Sequence, residues 1–289
     1  YYSAEPDVIY NNIEWVECDL SAYDSLCPLM NDVNEIYHCA AMVSFEKGQE
    51  EKIIENNVVV TRNIVRACFE NKVSKLCHVS SIAALGGSDG ELNINEEQVW
   101  DPSEDHSPYS ISKYLSEQEV WKGISQGLTA VIVLPSIILG PGDWDRSSSA
   151  IFGTVSRGLP FYTNGIKAYV DVQDVVKAMI TLMDSNISGE RFIVSAENIA
   201  NLELFSLVAE NLGAKKPFIK IPRMIRPVVM PVVRMLIVLT GKKIPITKDI
   251  LSVAWTKTGY DNSAIRKKNG FGFYADTKIN SKYKLNLFA

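Results

Sequence analysis

Two rhythms of apolar positions alternate along this chain. Short runs of consecutive apolar residues are separated by stretches in which apolar positions recur every three or four residues, the signature of strands alternating with helices and so of a parallel sheet covered by helices. Ile13 to Val16 is predicted as a strand and Ser21 to Met30 as a short helix. Glu35 to Ala40 is the next strand, and a long helix is predicted from about Gln49 to Asn71. Lys75 to Ser80 forms another strand, which ends in the loop Leu85-Gly86-Gly87-Ser88-Asp89-Gly90 and continues through the acidic stretch Glu91 to Asp105. A helix then opens at Ser107-Pro108: the serine can cap free backbone N–H groups, and proline suits the first helical position. Thr129 to Leu134 is apolar throughout, as a buried parallel strand should be.

Beyond Gly140-Pro141-Gly142-Asp143 the regular alternation fades into helices with shorter strands between them, such as Arg191 to Val194. The chain is therefore divided into a sheet-based domain over residues 1–143 and a smaller, mostly helical lobe over 144–289, with some segments of the lobe returning to the main sheet. Val228 to Thr240 is very apolar, but Pro231 and Arg234 interrupt it and it falls short of the ~20 residues a membrane span needs. A packed helix is expected there, or at most an interfacial one. Met224, Met230 and Met235 are read as core residues; if they lined a pocket, an apolar substrate would follow.

Composition narrows the function classes. The 289 residues are 46% hydrophobic and 22% charged, which suits a globular protein and excludes disorder, collagen and coiled coil. The net charge of −5 has the wrong sign for a protein that neutralises nucleic-acid phosphates. Five cysteines, with no CxxC pair and no apolar signal segment, point to a reducing cytoplasm and to buried, inert thiols. His38-Cys39 and Cys77-His78 invite a metal reading, but adjacent strand residues point to opposite faces, so neither pair can close on one ion and no metal is expected.

Tyr109-Ser110-Ile111-Ser112-Lys113 carries the candidate chemistry. Four residues apart on a helix, Tyr109 and Lys113 rise from one face. A phenol is a poor proton donor or acceptor at neutral pH unless its anion is stabilised. The Lys113 charge and the nearby helix N-terminus are expected to supply that, so that Tyr109 can work as general acid or base. With 12 tyrosines and 20 lysines, chance alone gives about 0.8 such spacings. Tyr274 and Lys278 form one in the tail, without a strand or serine upstream, and are read as accidental. Tyr109 differs in context: a strand ends in Ser80-Ser81, a loop follows, and a capped helix brings the tyrosine to the carboxyl edge of the sheet, where open α/β sheets bind ligands.

At these residues the sequence resembles the extended short-chain dehydrogenase/reductase family, in its dihydroflavonol-reductase and 3β-hydroxysteroid-dehydrogenase-like branch. The landmarks run in family order: Glu17-Cys18-Asp19-Leu20, His38-Cys39-Ala40-Ala41, Asn57 to Thr61, Val79-Ser80-Ser81, Tyr109 with Lys113, Leu134-Pro135-Ser136, Gly140-Pro141-Gly142 and Tyr169-Val170-Asp171-Val172. The resemblance implies a doubly wound, Rossmann-like α/β fold and a bound NAD or NADP, with no readable preference between them. It assigns Asp19 and Leu20 to the adenine end and Ala40 and Ala41 to the strand edge beside the cofactor's bridge. Asn57 supports the site, Lys113 also holds the nicotinamide ribose, and Pro135 and Ser136 line the nicotinamide pocket. Ser81 matches the hydroxyl that holds the substrate oxygen, with Ser80 as the alternative; Ser81 is favoured because it stands five residues before Gly86. Plainer readings stand beside these: Asp19 as a turn residue, Ala40-Ala41 as tight packing, Asn57 as structural. Asp171 and Asp174 are read as a helix start without a catalytic role, and His106 as solvent-exposed rather than a substrate contact.

The sequence departs from the family at its beginning. Members open with a strand, a GxxGxxG turn and a helix that bring backbone amides to the pyrophosphate, whereas the first glycine here is Gly48 and the chain starts at Tyr1. Gly86 to Gly90 cannot stand in, since an acidic loop follows where a helix is required. The expectation is a chain without its first βαβ portion that binds dinucleotide poorly by itself. The implied function is an NAD(P)-dependent oxidoreductase acting on a carbonyl or secondary alcohol of a small molecule, possible as a homodimer. The alternatives are a nucleotide-sugar epimerase that retains its cofactor and a non-catalytic dinucleotide sensor or scaffold.

Overall fold

A computed structural model describes residues 13–43, 48–144, 147–229, 231 and 253–273. In chain order the elements are α1 (Tyr23–Leu26), β1 (Glu35–His38), α2 (Glu50–Glu70), β2 (Lys75–Val79), α3 (Pro108–Ser125), β3 (Ala130–Pro135) and β4 (Ile137–Leu139). They continue with α4 (Ala150–Ser156), β5 (Phe161–Tyr162), β6 (Ile166–Asp171), α5 (Val172–Met183), β7 (Glu190–Val194), β8 (Glu197–Ala200), α6 (Asn201–Asn211), β9 (Ile219–Lys220) and α7 (Ser263–Asn269).

β1, β2, β3 and β7 form one parallel sheet in that order, with Leu76 opposite Ala130 and Val133 opposite Phe192. Every residue of β3 is buried because both faces of the strand are covered. Its side chains alternate: Ile132 and Leu134 pack with Ile64, Val65 and Val120 under α2 and α3, while Val131 and Val133 pack with Val175, Leu182 and Ile265 under α5 and α7. Helices on both faces of a parallel sheet make this the Rossmann-like α/β architecture. α2 and α3 approach closely at Gly123, where a Cβ would lie 2.8 Å from Val65 Cγ1.

A second sheet, β4-β6-β8, is mixed, with β4 parallel and β8 antiparallel to β6. It lies over its own core of Leu139, Phe152, Val155, Tyr169, Leu204 and Val208, and β5 pairs with β9 beside it. The chain leaves this region at α5 and β7 to complete the main sheet. Asp171 caps α5 by accepting from Gln173 N at 2.7 Å.

Three expectations are corrected. Ile13 to Val16 is not a strand: Ile13, Trp15 and Val16 are more than half exposed, and none of the described residues offers the run a ladder partner. Of the cysteines only Cys68 and Cys77 are buried; Cys18 and Cys27 lie in the open N-terminal turns and Cys39 stands one residue beyond β1. Met224 is 91% exposed rather than core, carried on a short 3-10 helix outside both sheets. Met230, Met235, Tyr274, Lys278 and most of the stretch 228–240 lie outside the described residues. Among the described residues no helix is long and apolar enough to cross a membrane.

Candidate active site

The site is built at the carboxyl edge of the main sheet. Ser80 continues the ladder beyond β2, donating its N–H to Val133 O at 2.8 Å. Ser81 then caps the 3-10 turn Ile82–Leu85, its Oγ accepting from Ala83 N at 3.2 Å. Gly87 follows with φ +113°, where a Cβ would also meet Ile94 Cδ1 at 2.5 Å, so this turn requires glycine. The acidic stretch returns the chain to α3, whose start is fixed by Ser107 Oγ accepting from Ser110 N at 3.1 Å and by Pro108.

α3 carries Tyr109 and Lys113 onto the sheet edge. Burial pushes the Tyr109 phenol up and the nearby Ser81 hydroxyl opposes the rise, so Ser81 and Tyr109 lie close together. Lys113 is 4% exposed, and its Nζ donates to Val79 O at 2.7 Å. Burial pushes its ammonium down to about 8, with Glu117 and then Cys39 opposing. The cation therefore remains the main form at neutral pH. The Tyr109 phenol is raised overall by burial, while the Lys113 ammonium on the same face is hydrogen-bonded to the Val79 carbonyl.

Ser80 and Ser81 separate cleanly. Ser80 is buried, and its Oγ donates to Glu117 Oε2 at 2.8 Å, whereas Ser81 faces Tyr109. Glu117 also accepts from Trp121 Nε1 at 3.0 Å and from Arg191 at 2.9 Å. Sequence reasoning passed over Glu117, although it stands four residues after Lys113 on the same helical face. Beneath Lys113 lie two buried histidines, His38 and His78, with ring centroids 5.0 Å apart. His38 Nε2 contacts Thr61 Oγ1 at 3.1 Å. Burial, then the Lys113 charge, holds His38 down at about 4; burial, then His38 and Lys113, holds His78 well below the usual range. The pair is neutral at neutral pH. Among the described residues no group of three or more His, Cys, Asp or Glu is arranged to hold a metal.

Of the residues assigned to the dinucleotide, Asp19, Ala40 and Ala41 are open, whereas Asn57 and Ser136 are buried. Asp19 is exposed, and its Oδ1 accepts from Ser21 N at 2.9 Å and from Ser21 Oγ at 2.7 Å, the turn geometry that was its plainer reading. Those bonds hold its carboxyl below the usual range. Leu20 packs on the main core, and its carbonyl accepts from Asn63. Ala40 and Ala41 are exposed just past β1. Asn57 is buried and accepts from Met42 N at 2.7 Å while donating to Met42 O and Ser112 Oγ, so it ties the loop after β1 to α3. Pro135 ends β3, and Ser136 Oγ beside it is buried without a hydrogen-bond partner. That orphaned hydroxyl at the sheet edge fits a polar group such as a carboxamide. His106 is half-buried rather than solvent-exposed: its ring stacks on Trp100 at 3.7 Å and its Nε2 contacts Asp101 O at 2.7 Å.

The sequence profile of the NAD dependent epimerase/dehydratase family matches residues 2–195. Among curated proteins, the chain is 30% identical over 208 residues to sterol demethylase protein B of Methylococcus capsulatus, a match covering 71% of this chain and 62% of that protein. It is also 30% identical over 230 residues to a putative dihydroflavonol 4-reductase of Synechocystis, covering 76% of this chain and 66% of that one. The chain thus spans just under two thirds of these relatives. The crystal structure of a UDP-glucose 4-epimerase from Thermotoga maritima superposes with a TM-score of 0.75 at 18% identity, over 99% of this chain and 85% of that one, which shows a shared fold.

Proposed function

We propose, for a chain that belongs to the NAD dependent epimerase/dehydratase family, that the whole protein is an NAD(P)-dependent oxidoreductase interconverting a carbonyl and a secondary alcohol of a small molecule. The observation that carries the reading is the meeting of Ser81 with Tyr109, with Lys113 one helical turn below, at the carboxyl edge of a parallel sheet. A nicotinamide dinucleotide, when bound, supplies the hydride. Ser81 orients the substrate oxygen through its hydroxyl, and Tyr109 Oη gives or takes the proton at that oxygen. Lys113 Nζ contributes the nearby positive charge and can exchange the Val79 carbonyl for a ribose hydroxyl. Ser136 Oγ and Pro135 border the nicotinamide, and Asn57 keeps the loop carrying Ala40 and Ala41 in place beside the dinucleotide. Asp19 and Leu20 stand at its adenine end.

The reductase direction is supported by the relative described as a dihydroflavonol 4-reductase and by a Ser81-to-Gly86 stretch without the tyrosine common in sugar epimerases. The test is a panel of ketones, aldehydes and nucleotide sugars, followed by NAD(P)H absorbance and by product analysis in the complete protein. Net consumption of NAD(P)H with a ketone or aldehyde is expected. Sugar isomerisation with tightly retained cofactor and no net consumption would replace this reading with an epimerase.

A further inference from the structure

Helix α3 places Tyr109, Lys113, Glu117 and Trp121 on one stripe, each a turn below the last. Glu117 is fully buried, and a buried carboxylate is unfavourable unless it is paired and well hydrogen-bonded. Its partners come from three elements: Ser80 at the end of β2 on Oε2 at 2.8 Å, and Trp121 of α3 and Arg191 of β7 on Oε1 at 3.0 and 2.9 Å. Arg191 also donates to the carbonyls of Glu96 and Gln98, which clamps the acidic loop to the same point. Closing the Arg191 pair needs only Oε1. Oε2 is committed to Ser80, and along an extended backbone that draws the next side chain, Ser81, to the opposite side, toward Tyr109.

Lys113 is faced by Tyr109 and Glu117 from α3, by His78 and the Val79 carbonyl from β2, and by His38 and Cys39 at the end of β1. Both histidines are neutral at neutral pH. Glu117 is the carboxylate whose charge acts on this lysine.

Resting on the Ser81–Tyr109–Lys113 reading above, we propose that Glu117 is a positioning residue: the buried anion one turn from the Lys113 ammonium on the same face of α3, and the anchor that turns Ser80 away so that Ser81 faces Tyr109. Glu117→Gln keeps the shape and removes the charge. The readout is the titration of Lys113 in the full protein, followed by NMR with lysine labelled at the ε carbon and assigned by the signal lost in Lys113→Arg. The Lys113 midpoint is expected to fall by about one pH unit, a tenfold loss of proton affinity, and the alkaline limb of kcat/KM to move down with it. An unmoved midpoint in Glu117→Gln overturns the proposal. Should that variant fail to fold, Glu117→Gln with Arg191→Met removes both charges of the pair, and because the lost arginine cation offsets part of the effect a smaller fall is expected, with an unmoved or raised midpoint overturning the proposal. Undiminished turnover in Tyr109→Phe would instead overturn the catalytic reading while leaving the Lys113 midpoint to report on Glu117.

Discussion

The two sides of the candidate site are built differently. On the side proposed to handle the proton, Lys113, Glu117, Ser80 and His78 are buried, Tyr109 and Lys113 ride on a capped helix, Ser81 Oγ accepts from Ala83 N, and Lys113 Nζ donates to Val79 O. On the side proposed to hold the dinucleotide, Asp19, Ala40 and Ala41 lie at the surface, and the side-chain hydrogen bonds of Asp19 are to its own turn. Groups that move protons need fixed geometry before the substrate arrives, so the fold itself supplies it. Groups that line an extended ligand can remain open until that ligand covers them. Removing a side chain from the first side should therefore disturb chemistry or stability, and from the second side binding alone.

The sharpest contrast lies within one side, between adjacent serines. Ser81→Ala is expected to lower kcat/KM on the substrate found by the panel by about a hundredfold, and Ser80→Ala by about tenfold. Equal losses, or the reverse order, would reassign the substrate-facing hydroxyl. Stability should show the next largest effect. Lys113 titrates near 8 in the folded chain, below its ordinary 10.5, so between those values the unfolded chain holds a proton that the folded one has released. Stability accordingly rises with pH across that window and carries the full penalty of the buried charge below it. Lys167, also pushed down to about 8 by burial, adds a rise in the same window. Lys113→Met is expected to raise stability at pH 7 by about 1–3 kcal/mol and to flatten the rise without abolishing it, as measured by urea unfolding across pH 7–11. An unchanged slope would place Lys113 in solvent. The smallest effect belongs to the open side: Asp19→Ala should leave the thermal midpoint unchanged and weaken dinucleotide binding a few-fold by calorimetry. A fall in the midpoint would make Asp19 a structural residue.

The legible parts of the sequence were those governed by local rules. Ser107-Pro108 announced the start of α3, the four-residue step put Tyr109 and Lys113 on one face, and an apolar run marked β3. The parts that failed depend on partners far along the chain. Ile13 to Val16 has the composition of a strand but no ladder neighbour among the described residues. Glu117 in mid-helix reads as a solvent-facing side chain until Arg191, 74 residues later, is brought against it by β7. The spacing to Gly86 favours Ser81 over Ser80, and what the sequence does not record is that Ser80 is turned onto Glu117 of α3.

The central claim is that Tyr109 moves the proton at a substrate oxygen that Ser81 holds. Single-turnover transfer of deuterium from NAD(P)H labelled at the nicotinamide C4 tests it most directly, in the complete protein and its Tyr109→Phe variant. Transfer to the carbonyl carbon should slow by at least about a hundredfold in the variant, with dinucleotide affinity retained. Equal transfer rates in the two proteins would contradict it.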